Sequence, residues 1–138
     1  MAIGITSQLD GSTLAVQVTV ASEVAISDKK LVLYLVEDGI IADQVNYYNE
    51  DEGSPFFGLG NPIPNYEHKD VLRASLTDIF GDAISATPAL TDVTANYSIE
   101  LNSAFNPEKL RLVAMVVGPD NTAVNGQEAT VDSTVGYE

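Results

Sequence analysis

The chain is predicted to fold as an antiparallel β-sandwich of about seven to eight strands, with one long loop and at most a short helical turn. Three observations predict it. Short runs rich in β-branched and aromatic residues recur along the sequence, and clusters of Gly, Pro, Asn and Asp separate most of them. No long stretch presents a convincing amphipathic helical face. At 138 residues the chain fits one domain, expected over 1–138, long enough to bury a core without disulfide or metal.

The first hairpin is the best defined. Asp10-Gly11 is a preferred type I′ turn, and a two-residue loop there pairs Leu9 with Ser12, Ser7 with Leu14, Ile5 with Val16 and Ile3 with Val18. This sorts apolar against mostly apolar residues, and a slip of one residue would expose the apolar row. After a turn at Ser27-Asp28-Lys29-Lys30, residues 31–36 are apolar on both faces, as in a central strand covered on each side. Glu37-Asp38-Gly39 then turns the chain into a second apolar run over 40–45, which reads as the returning strand of a tight hairpin.

The loop over 46–65, NYYNEDEGSPFFGLGNPIPN, interrupts this economy. Five of the ten aromatic residues, Tyr47, Tyr48, Phe56, Phe57 and Tyr66, lie in it or at its edge. Residues 66–76 resume as strand. Val71, Leu72, Leu76, Ile79 and Phe80 also fit a helical face with Gly81 at its end, so one helical turn is expected over 77–82. Residues 96–102 alternate cleanly, with Tyr97, Ile99 and Leu101 on one face. Asn106-Pro107-Glu108-Lys109 turns the chain into the apolar run 110–117, and Pro119-Asp120-Asn121 turns it again. Residues 122–131 close the series, with Asn125-Gly126 as a competing turn. Eight such runs point to an immunoglobulin/fibronectin-like sandwich.

Composition excludes more chemistry than it suggests. Twenty acidic residues against six basic ones give a formal net charge of −14, which repels phosphate backbones and anionic headgroups, so no nucleic-acid partner is expected. The absence of cysteine removes thiolate nucleophiles and zinc–thiolate sites. No apolar run approaches the roughly 20 residues of a membrane-spanning helix. Met1 is followed almost at once by the strand-like Ile3-Gly4-Ile5, so the chain reads as the C-terminal part of a longer precursor with a domain upstream.

No catalytic residue is predicted. His68 is the sole histidine, and one imidazole without a partnered nucleophile builds no triad. Glu37, Asp38, Glu50, Asp51 and Glu52 could supply a carboxylate pair for glycoside hydrolysis, but that chemistry calls for a cleft that a small sandwich rarely forms. Asn49-Glu50-Asp51-Glu52-Gly53 offers oxygens for calcium, yet its spacing is not that of an EF-hand, and a solvated charge run is the expected reading. No metal or cofactor is therefore expected. For Tyr47, Tyr48, Phe56, Phe57 and Tyr66 two readings stand. The rings pin a long loop, or they form a contact platform in which tyrosine supplies area at low entropic cost.

Three stretches carry a family resemblance: residues 33–41 followed by Gln44, the run from Tyr66 to Ala74 (YEHKDVLRA) before Phe80-Gly81, and the late strand with Asn125-Gly126-Gln127. In these the chain resembles the C-terminal β domain of the 28-kDa outer-membrane-protein-related family of Gram-negative gut and oral anaerobes. It departs from the family's usual His-Asn-His before Val-Leu-Arg in having only His68. The resemblance implies an extracytoplasmic, lipoprotein-related setting at the cell envelope, periplasmic or on the outer-membrane surface, behind a thioredoxin-like domain. It also implies binding or adhesion, which together with the lack of a catalytic constellation gives the expected non-enzymatic interaction or structural role. The partners expected are that upstream domain or a surface protein; the alternative is a glycan-binding module using the loop 47–66.

Overall fold

Alternation of inward and outward side chains organises the fold, and the opening hairpin sets it. The computed structural model describes residues 1–137. Strand β1 (Ala2–Asp10) pairs antiparallel with β2 (Thr13–Ala21), with Asp10 opposite Thr13, Leu9 opposite Leu14, Ile5 opposite Val18 and Ile3 opposite Val20. The loop is therefore Gly11-Ser12 rather than Asp10-Gly11, and each expected partner moves by two residues. Gly11 has φ +60 while Ser12 is not in the positive region, which is the type II′ pattern, with glycine first. A shift of two preserves parity, so the predicted face survives: Ile3, Ile5, Leu14, Val16, Val18 and Val20 are all buried.

Two sheets enclose that face. The first has the order β11-β1-β2-β8, where β8 is Val93–Glu100 and β11 is Thr134–Val135. The second runs β10-β9-β3-β6, where β3 is Lys30–Glu37, β6 is Val71–Ser75, β9 is Leu110–Val117 and β10 is Ala123–Thr130; β7 (Asp82–Ala83) also pairs with β3. Between these two sheets the chain changes after β2, β7 and β8, as in immunoglobulin-like sandwiches, and again after β10, which returns β11 to the first sheet. Leu31, Leu33 and Leu35 of β3 and Leu112, Ala114 and Val116 of β9 meet the first sheet in one core. Val32 and Val36, on the opposite face of β3, are buried as well, as a strand apolar on both sides requires.

Three expectations are corrected locally. Residues 77–82 form no helical turn; Gly81 N–H donates to Asp78 O at 2.8 Å and Asp78 N–H to Asp82 Oδ1 at 2.9 Å, a polar turn that outcompetes the weak helical pattern. Asn125-Gly126 does not turn the chain but lies within β10, at a register irregularity between Ala123 and Asn125. The run 40–45 is a strand, β4 (Ile40–Gln44), but its partner is β5 (Ile63–His68) in a separate two-stranded sheet, not the preceding strand. Of the described strands, β7 and β11 have only two residues each, too short to leave a hydrophobic pattern.

By compactness the chain divides into two units. One comprises Met1–Glu37 and the chain from Leu72 onward and holds the sandwich; the other is Asp38–Val71. Within the second, Asp70 N–H donates to Asp38 Oδ1 at 2.7 Å and Gly39 N–H to His68 O at 3.0 Å, closing the base of the β4–β5 ribbon.

Candidate functional site

The loop between β4 and β5 is built on Asn46. This residue is 4% exposed and spends both polar ends of its side chain on the loop backbone. Its Nδ2 donates to Phe56 O at 2.8 Å and to Gly60 O at 2.9 Å, while Oδ1 accepts from Tyr48 N–H at 3.0 Å. Asn49 Oδ1 accepts from Gly60 N–H at 2.8 Å, and Asn49 O accepts from Gly58 N–H. Between these ties lie successive turns, with Asp51 O accepting from Ser54 N–H and Asp51 Oδ1 from Gly53 N–H. Asn and Gly supply the turn chemistry, so the backbone closes through polar groups.

The aromatic side chains are left outward. Tyr47 is 89% exposed, Tyr48 57%, Phe57 46% and Phe56 37%; Tyr66 is half-buried. Four of the five predicted contact residues, Tyr47, Tyr48, Phe56 and Tyr66, line one groove of about 390 Å³ together with Gln44, Val45, Asn46 and Ile63. Phe57 is not part of its lining. The register explains the floor: Ala42 opposes Tyr66 and Gln44 opposes Ile63, which puts Gln44, Ile63 and Tyr66 on one face of the ribbon. Tyr66 meets His68 edge to face at 5.0 Å between ring centres. Asn46 and Ile63 escaped sequence reasoning. An asparagine at the mouth of a Gly- and Asn-rich loop is the signal that could have found the first.

Charge surrounds the groove unevenly. The Asp38–Val71 unit holds seven carboxylates, Asp38, Asp43, Glu50, Asp51, Glu52, Glu67 and Asp70, against one lysine, Lys69. Among the described residues no three His, Asp or Glu side chains gather as a metal-holding group. Glu50 instead accepts from Asn49 Nδ2 at 2.6 Å. Of the carboxylates considered for acid–base work, Glu37 lies in the sandwich, 3% exposed and paired to Arg73 at 2.6 Å.

Two phenols in the sandwich are shifted upward. Burial, then the neighbouring Asp82, raises the Tyr97 phenol, and a 2.6 Å hydrogen bond to Asp92 raises Tyr137. Both changes hold the phenols protonated.

With that geometry in place, the comparisons add one finding. The family model for outer membrane protein Omp28 matches residues 1–135. No curated protein and no solved structure matches the chain.

Proposed function

The chain belongs to the outer membrane protein Omp28 family, a family of the outer membrane and cell envelope, and from that premise we propose that it is a non-enzymatic recognition domain whose contacts are made by the Asp38–Val71 unit. The observation that carries this reading is a division of labour inside the loop. Polar side chains close its backbone, and four aromatic rings that the closure does not use line an open groove. Concave apolar surface with polar groups at its edge is where proteins usually take a ligand or partner. Aromatic residues on a loop held by a rigid scaffold are the usual anchors of protein contacts. The partner proposed is another protein of the envelope.

The test is retention of solubilised outer-membrane components on the immobilised chain and on the Tyr47→Ala/Tyr48→Ala/Phe56→Ala variant. The wild-type chain retains a defined component that the variant loses. Equal retention by both would sink the reading.

A second reading has one observation in its favour: a groove of about 390 Å³ lined by four rings is of a size to stack a sugar. A glycan module of that kind shows tyrosine quenching on titration with neutral oligosaccharides. The protein-contact module stays silent.

A further inference from the structure

The groove's own hydrogen bonds and the charge around it narrow what it takes, granted that the Asp38–Val71 unit is the recognition element. A sugar needs polar groups in the wall to replace the water on its hydroxyls. Of the two amides in this wall, Asn46 is committed to Phe56 O, Gly60 O and Tyr48 N–H, and Gln44 spends one N–H of Nε2 on Val45 O at 2.8 Å. Beside the tyrosine hydroxyls and Gln44 Oε1, what remains is ring faces and aliphatic carbon from Val45 and Ile63, so most of the wall is apolar.

The electrostatics select further. Glu50, Asp51 and Glu52 are exposed and follow Tyr48 after Asn49; Glu50 is two residues on, no more than about 7 Å along the chain. Asp43 adjoins Gln44 of the lining in sequence, and its Oδ1 accepts from Asn65 N–H at 3.2 Å. Carboxylates within a Debye length repel anionic glycans and lipid headgroups and attract cations. Tyrosine faces do the same, since their quadrupole draws a guanidinium or ammonium.

We propose that the groove lined by Tyr47, Tyr48, Phe56 and Tyr66 docks a basic, apolar segment of a partner protein, an arginine or lysine set against the tyrosine rings with an aliphatic neighbour against Val45 and Ile63. The acidic run Glu50-Asp51-Glu52 supplies long-range attraction and the rings supply the anchor.

The test titrates the full chain with four synthetic probes: a peptide alternating arginine and leucine, its glutamine-for-arginine and glutamate-for-arginine counterparts, and a mixture of neutral oligosaccharides. The arginine–leucine peptide binds and the other three do not. Glu50→Gln/Asp51→Asn/Glu52→Gln keeps the acceptors on Glu50 and Asp51 that the loop uses while removing charge, and weakens binding roughly tenfold at low salt, with the difference shrinking as salt rises. Tyr47→Ala/Tyr48→Ala weakens it by roughly thirtyfold or more. Tyr47→Ala alone, at a side chain 89% exposed, is the variant least able to disturb folding and still weakens binding.

Equal binding of the glutamine or glutamate peptide overturns the proposal, and so does arginine–leucine binding indifferent to tyrosine truncation, which would be diffuse attraction to an acidic chain. Saturable oligosaccharide binding overturns it in favour of a glycan groove. A silent probe panel beside loop-dependent retention of an envelope component rejects this chemistry alone. Silence in both experiments rejects the recognition reading as well.

Discussion

Glu37 illustrates how far a residue's type can mislead about its work. As a carboxylate beside an acidic turn it could be read as a catalytic candidate, yet it is 3% exposed and serves the sandwich. Its Oε2 accepts from Arg73 Nε at 2.6 Å, its Oε1 from Asn106 N–H at 2.8 Å, and the Arg73 guanidinium lies 4.6 Å from the centre of the Phe105 ring. One side chain thereby joins the end of β3 to β6 and to the turn before β9. Truncation would orphan both partners, so Glu37→Ala is expected to cost about 3 kcal/mol, and Glu37→Gln, which keeps an acceptor for Asn106, less. Urea unfolding midpoints at constant slope check the order. A second prediction concerns acid. Glu100 accepts from Thr13 Oγ1 and, at 2.7 Å, from Ser12 Oγ, and these hydroxyls, Thr13 foremost, hold its carboxyl below the usual range. The folded chain then binds that proton less readily than the unfolded chain. The contribution is present above the unfolded pKa and is lost as pH falls through the folded one. Stability curves of the wild type and Glu100→Gln should differ most above about pH 5 and converge in stronger acid. Neither role was legible in the sequence, because both depend on partners far along the chain.

At the scale of elements, legibility followed parity and failed at pairing. Alternation placed Ile3, Ile5, Val16 and Val18 on the core face, and they are there. Sequence does not separate Asp10-Gly11 from Gly11-Ser12, because both are acceptable two-residue loops and both keep the same side chains inside. For β4 the misreading was of partner. An apolar run just after an apolar strand and a Gly-containing turn normally returns along its neighbour, whereas here Ile40 pairs with His68 across the long loop. The segment after β6 went wrong for a different reason. Its apolar spacing fits a helix, but Gly81 has φ +91, and a Cβ there would sit 2.9 Å from Leu31 O and 2.9 Å from Val32 Cγ2. The backbone is pressed against β3, and only glycine allows it. Gly81→Ala is therefore expected to destabilise the sandwich by about 1–3 kcal/mol through a left-handed conformation alone, and by more if β3 cannot yield. A thermal melt lowered by several degrees would confirm it; an unchanged melt would mean that the turn relaxes freely.

Across the whole molecule, the core and the candidate site draw on different stretches of sequence. Every residue of the core cluster, from Ile3 to Ala129, belongs to the sandwich unit, while the aromatic groove is made wholly within Asp38–Val71. The sandwich is legible because burial imposes a period of two over many residues; the pairing inside the insertion is not, since a two-stranded ribbon has too little buried surface to fix its partner. The run 40–45 reads as a strand, and the aromatic content marks the loop, but Ile40 opposite His68 has no local signal. The chain leaves the sandwich at Glu37 and re-enters it at Leu72, and the contact between Glu37 and Arg73 shows that these points are neighbours. A short turn such as Asn-Gly can therefore bridge them in place of Asp38–Val71. Because long loops cost entropy to close, the exchange should leave the sandwich as stable as before or up to roughly 2 kcal/mol more so. Binding of any partner should vanish with the insertion. Denaturant unfolding and the arginine–leucine probe together decide this. If the shortened chain fails to fold, the sandwich depends on the insertion, and the separation of scaffold from contact surface is wrong; if it folds and still binds, the contact surface lies elsewhere.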